Sequence, residues 1–136
     1  MLIDYATWAA KKGITYSTFS THEVKLSDIL EIARECNILF QKKKDVLFLR
    51  IGVTKEWEVV MTDEQKKTYS DNTDPEHTGV EATTDVLRWL WDTGFAAIGG
   101  DAISWGIREC VNPPQTRKRS PFILPPSPLY RKRATA

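Results

Sequence analysis

The chain has 136 residues, 41% of them hydrophobic and 27% charged, with a formal net charge of +1. That composition fits one ordinary globular domain and excludes collagen-like, coiled-coil and wholly disordered chains. The small net charge conceals two unlike parts: residues 1–109 hold 13 Lys or Arg against 18 Asp or Glu, a net −5, whereas residues 110–136 hold 6 basic residues, no acid, and six of the seven prolines.

Residues 4–12 carry Tyr5, Trp8 and Ala9 at helical spacing, and Gly13 stands where a glycine ends a helix. Residues 14–22, rich in Thr, Ser and aromatic side chains, read as a loop or short extended segment. Ser27 is the expected N-cap of a second helix with Asp28 in its first turn, an apolar stripe of Ile29, Leu30, Ala33 and Cys36, and Asn37 as a left-handed terminator. The aliphatic run over residues 46–53 predicts a strand in the middle of a sheet, buried on both faces. Residues 55–61 read as helical. Thr62 with Gln65 three positions later predicts a capping box opening a polar helix to about Tyr69.

Residues 70–79 have the composition of a surface loop. Residues 83–93 give the strongest helical pattern, through Val86, Leu87, Leu90 and Trp91, and Gly94 ends it. Residues 95–98 read as a second buried strand running into Gly99-Gly100-Asp101, a place where the chain passes close to another backbone or a ligand. Beyond Trp105 the prolines and the triplets at 117–119 and 131–133 predict a basic, proline-rich, disordered tail over residues 106–136.

The longest purely apolar runs are four residues, far short of the roughly 20 that a membrane-spanning helix needs. Met1-Leu2-Ile3-Asp4 lacks the features of a secretory signal, so a cytoplasmic chain with Cys36 and Cys110 reduced is expected. Two basic triplets without a folded platform or adjacent stacking aromatics predict a solvated tail rather than a nucleic-acid or lipid contact.

Asp101 is a carboxylate at the end of a predicted strand, where open α/β sheets place ligands; the alternative is a turn aspartate accepting backbone amides. His22, preceded by hydroxyl residues and followed by Glu23, could act as a ligand or general base, or be a packed loop histidine. His77 lies in the hydrophilic segment and is expected to be solvated. Trp89 and Trp91 could touch a ligand, with core packing as the default. The two histidines lie 55 positions apart with no HxH, HxxxH or CxxC pattern, so the sequence carries no metal-site spacing. Phosphate-loop and nucleophile-elbow patterns are absent.

The segments Leu2-Ile3-Asp4-Tyr5-Ala6, Phe19-Ser20-Thr21-His22, Ser27-Asp28-Ile29-Leu30, Asp45 to Gly52, Gly79-Val80-Glu81, Leu87 to Asp92 and Ala96 to Ala102 follow one another in an order that resembles the fungal branch of the cyclase family, which is similar to kynurenine formamidase-like hydrolases. The resemblance covers residues 2–105. It implies an α/β fold of the swivelling β/β/α type, and hydrolysis or cyclisation of a small amide or lactone with a divalent metal such as zinc or manganese. Fungal secondary metabolism is the implied setting.

Asp101 and Ser104 match the family's pocket-lining acid and serine. Arg50 and Gly52 match the end of its central strand, with Ile51 in place of the usual Thr. The family's His/Asp metal motif precedes the matched segments, and a further His- and Leu-rich stretch follows them. The resemblance therefore implies the middle of a longer enzyme, with no metal ligands expected in this chain. Two readings follow. One is a cyclase-family enzyme acting on a small carbonyl compound, with Asp101, Ser104 and His22 as pocket candidates. The other is a truncated, catalytically inactive remnant or a partner-binding fragment. The short sheet is expected to leave open edges, favouring self-association or pairing with a full-length paralogue.

Overall fold

The computed structural model describes residues 1–41 and 44–106. Its centre is a three-stranded parallel sheet in the order β1–β3–β5, formed by Leu2–Asp4 (β1), Val46–Arg50 (β3) and Ala97–Gly100 (β5). A two-stranded parallel sheet joins Glu23–Val24 (β2) to Gly79–Val80 (β4), extended by a bridge from Val80 to Gly106. The helices are Tyr5–Lys11 (α1), Leu26–Glu35 (α2), Val53–Lys55 (α3, continuing as a π-helical turn over Glu56–Val60), Asp63–Asp71 (α4) and Thr84–Thr93 (α5). The α/β class expected from the sequence is what forms.

Asp4 closes β1 and caps α1, accepting the Thr7 amide at 3.0 Å. The sequence pattern had no strand at residues 2–4, because three residues are too short to show alternation. Helix α2 starts at Leu26 with Lys25 as its N-cap, so Ser27 falls inside the first turn rather than capping it. The reason is a cap from elsewhere: Glu81 Oε1 accepts the Leu26 amide at 2.8 Å. A carboxylate there also complements the positive end of the helix. Asn37 ends this helix region with φ of 53°, as its sequence position suggests. The Thr62–Gln65 capping box forms in both directions, at 2.9 and 3.3 Å. Helix α5 is capped by Thr83 and terminated by Gly94 in the left-handed conformation.

The core lies on one face of the main sheet. Ile3, Leu47 and Leu49 point into it and meet Tyr5, Trp8 and Ala9 of α1 and Ile29, Ile32 and Ala33 of α2. Val24, Ile51, Val80 and Val86 complete it. Residues of opposite parity face outward, and Leu2 and Phe48 are each 52% exposed. The central strand is therefore buried on one face, not two. It also stops at Arg50 instead of reaching residue 53, because Gly52 turns the backbone to φ of 94° and opens α3.

Three further expectations change. The last strand forms at Ala97–Gly100, two residues later than the pattern placed it, and it is an edge strand with Ile98 42% exposed. Trp91 points to solvent, whereas Trp89 packs edge-on against Phe40 and Phe95 at 5.6 and 5.3 Å. His77 is buried, not solvated, and Thr78 beside it is wholly enclosed. Thr78 is held by hydroxyl bonds to the Ser17 and Ser20 carbonyls, which pulls the end of the hydrophilic segment inward. No helix among the described residues is long and apolar enough to cross a membrane. The tail and Cys110 lie outside the described residues. Cys36 is a free, exposed thiol.

Candidate functional site

Parallel strands bring their carboxyl ends together, and ligands in open α/β sheets bind outside those ends. Here the ends of β1, β3 and β5 deliver Asp4, Arg50 with Ile51-Gly52, and Asp101. Arg50 Nη1 lies 2.8 Å from Asp4 Oδ2 and 3.0 Å from Oδ1. Burial alone would raise the Asp4 pKa, but the bonds from Thr7 and Arg50 outweigh it and hold the carboxyl below its usual range. Asp101 spreads its two oxygens over the Ile51 and Gly52 amides at 2.7 and 2.9 Å. It thereby fastens the segment after β5 to the turn after β3.

Beneath this turn sits an aromatic cluster. Tyr16 donates its hydroxyl to the Ile51 carbonyl at 2.7 Å and stacks on the His22 ring with centroids 4.4 Å apart. Burial, and then the proximity of Tyr5, Asp101, Glu56 and Asp4, push Tyr16 strongly upward. Tyr5 is raised to about 12, first by burial and then by Asp28, so its hydroxyl stays protonated. Its oxygen lies 2.8 Å from His22 Nε2. Burial pulls the His22 pKa down despite Asp28 and Glu23, so the ring favours its neutral form. A neutral ring accepting from Tyr5 at Nε2 has that lone pair engaged.

An open groove of about 340 Å³ lies at the same carboxyl end of the sheet. Val53, which follows the β3 turn, and Ile103, which follows β5, form part of it, and Phe19, Trp57 and Tyr69 supply aromatic walls. Phe19 meets Tyr69 edge-on at 4.7 Å and Trp57 at 5.6 Å. Glu56 sets the wall position, because it accepts the Ser17 hydroxyl at 2.6 Å and both the amide and hydroxyl of Thr18 at 2.7 Å. Trp57 and Phe19 are the chain neighbours of that clamp. Tyr69 is fixed in turn by its hydroxyl bond to the Glu76 carbonyl at 2.8 Å.

His77 and Ser104 form a second polar pair near the groove, two residues past Pro75 and one past Ile103, both groove-lining. His77 Nε2 lies 2.6 Å from Ser104 Oγ, while that hydroxyl donates to the Gly106 carbonyl at 2.6 Å. The Ser104 oxygen accepts from His77 in the tautomer that carries its proton on Nε2.

Of the residues singled out in the sequence, Asp101 and Gly52 come together, whereas Arg50 pairs with Asp4, and His22 and Ser104 belong to further pairs. The aromatic walls and Glu56 gave no sequence signal, because they come from three segments without a shared motif. The donor set does not fit the divalent cation that the resemblance implies. Asp4, Asp101 and Glu56 have both carboxylate oxygens on protein donors. Among the described residues no group of three or more His, Cys, Asp or Glu is placed to hold a metal.

No family model matches the sequence, and no curated protein matches it. A solved structure described as a novel cyclase superposes on 76% of this chain with a TM-score of 0.58 at 16% identity. The aligned part spans 31% of that protein. At that identity the likeness is one of fold, and it places the described residues with the α/β architecture of a cyclase.

Proposed function

We propose that this chain is a cyclase-like protein that binds a small, largely apolar carbonyl compound at the carboxyl end of its parallel sheet. The observation that carries this is the aromatic groove between the segments that follow β3 and β5, where this class of sheet places its ligands. The cyclase-like fold supports the reading. The sequence resemblance adds the finer proposals: a swivelling β/β/α arrangement, an amide or lactone as the compound, and a fungal secondary-metabolite setting. Hydrolysis or cyclisation needs reacting groups placed against the bound compound, and neither His22 nor Ser104 is among the residues lining the groove. The second reading, a partner-binding chain without turnover, is favoured by the uncovered outer face of the sheet.

Trp57 fluorescence titrated with an aromatic N-formyl amide and an aromatic lactone tests the proposal. Turnover is followed in the same samples with and without zinc or manganese. Saturable quenching that is lost in Trp57→Phe supports the groove, and quenching without turnover supports binding alone. Titrations with no quenching by either class would overturn the carbonyl-binding reading.

A further inference from the structure

The groove at the carboxyl end of the sheet has aromatic walls and a polar stretch where α4 finishes. Phe19, Trp57 and Tyr69 supply the rings, and Ser70 and Asn72 supply the polar stretch. The Tyr69 hydroxyl is committed to the Glu76 carbonyl. No Lys, Arg, Asp or Glu is among the lining residues. That suits a neutral compound, because an ion bound there would lose hydration with no opposite charge to offset it.

We propose that Asn72 is the specificity-determining residue of this groove, donating from Nδ2 to the carbonyl oxygen of a neutral, planar aromatic ketone, lactone or amide. The inference rests on the carbonyl-binding reading and adds which residue selects the carbonyl. The Asp74 backbone N–H donates to Asn72 Oδ1 at 3.0 Å. A backbone amide can only donate, so the atom facing it is the oxygen, and Nδ2 keeps two N–H donors with no acceptor among the described residues. The same bond fixes the plane of the side-chain amide, so the donor is preorganised and little ordering is left to binding. The Asn72 backbone N–H donates to the Tyr69 carbonyl at 3.3 Å, which keeps the donor within one turn of an aromatic wall. Ser70 and Trp57 also bring donors to the groove. The Ser70 hydroxyl can rotate and can accept as well as donate. The Trp57 N–H lies in the plane of its ring and so points away from a compound stacked on the ring face. Asn72 is the donor whose polarity and direction are both set before anything binds.

The test compares chromanone with chroman, which keeps the ring system and lacks the carbonyl oxygen. Affinities for the full chain are read by NMR from the Val53 and Tyr69 backbone amide shifts. A ketone has no leaving group, so turnover does not interfere. The parent should bind chromanone roughly three- to tenfold more tightly than chroman, the gain of one net hydrogen bond. Asn72→Asp keeps an oxygen for the Asp74 amide and replaces the donor by an acceptor. It should bring chromanone down to the affinity of chroman or below, with chroman unchanged. Ser70→Ala and Trp57→Phe should retain the preference for chromanone. A preference that survives Asn72→Asp, or that vanishes in Ser70→Ala or Trp57→Phe instead, would overturn the inference. So would equal affinities in the parent, or a loss of chroman binding in Asn72→Asp as large as that of chromanone, which would make Asn72 a support of the groove rim. Each of these results leaves the groove standing as a binding site. Shifts with neither compound would bring down the groove reading itself, and the role of Asn72 with it.

Discussion

The Asp101 carboxylate holds the Gly52 amide at 2.9 Å and its neighbour, the Ile51 amide, at 2.7 Å, across about fifty residues of chain. This joins the ends of β3 and β5 and fixes the turn from which Val53 enters the groove wall. Removing the carboxylate leaves two amides without acceptors, each worth about 1–3 kcal/mol when desolvated. Asp101→Ala is therefore expected to lower stability by roughly 2–3 kcal/mol, read as a shift in the urea midpoint. Asp101→Asn, which keeps one acceptor oxygen, should fall between. An alanine variant of unchanged stability that has lost ligand binding would mean that this carboxylate faces the ligand instead.

Glu56 carries a pH dependence with a definite sign. Burial would raise its pKa, but the Ser17 and Thr18 bonds outweigh that and hold it below the ordinary 4.5. A depressed carboxylate contributes fully above its ordinary value, and the contribution is lost as pH falls through the lower, folded value. The stability gap between the parent and Glu56→Gln should accordingly be widest near neutrality and shrink as pH drops below 4.5. Denaturant unfolding at a series of pH values measures it. A gap that stays constant with pH would remove Glu56 as the titrating clamp.

His22 titrates in the opposite chemical sense, with the same direction in pH. Its folded pKa lies below the ordinary 6.5, burial being the main cause. The unfolded chain then binds the proton more readily, so stability should fall as pH drops from 6.5 through the folded value and level off beneath it. In His22→Gln, whose side-chain oxygen can still accept from Tyr5, that segment of the pH profile should flatten. An NMR titration placing His22 above 6.5 would contradict the buried, neutral ring.

The elements that could be read from the sequence are those whose signal is local. The Thr62–Gln65 box, Thr83 and Gly94 around α5, and Asn37 after α2 each satisfy or end a helix with their own backbone neighbours, so spacing alone reveals them. Ser27 misleads because Glu81, 55 positions away, supplies the cap instead. Burial of His77 is hidden for the same reason: the polar composition of residues 70–79 says nothing of the Ser17 and Ser20 carbonyls that draw Thr78 inward. At the site, Asp101 stands out because a strand and two glycines lead to it. The groove does not, since Phe19, Trp57 and Tyr69 converge only through tertiary contacts anchored by Glu56.

Gly100 offers the sharpest structural test of the β3–β5 pairing. A Cβ placed on it would overlap the Leu49 carbonyl oxygen, whereas at Gly99 it would make ordinary contact with the Phe48 ring at 3.5 Å. The obstacle at Gly100 is backbone in the central strand, which cannot swing aside as a flexible side chain could. Gly100→Ala should force the edge strand away from Leu49, weaken the Asp101 clamp that follows it, and cost about 1–3 kcal/mol. Gly99→Ala, one residue away on the open face, should be close to neutral. Measuring both variants by thermal unfolding separates a specific backbone clash from a general intolerance of the strand. Equal destabilisation at the two positions would show that the close approach of β5 to β3 is not what requires glycine at position 100.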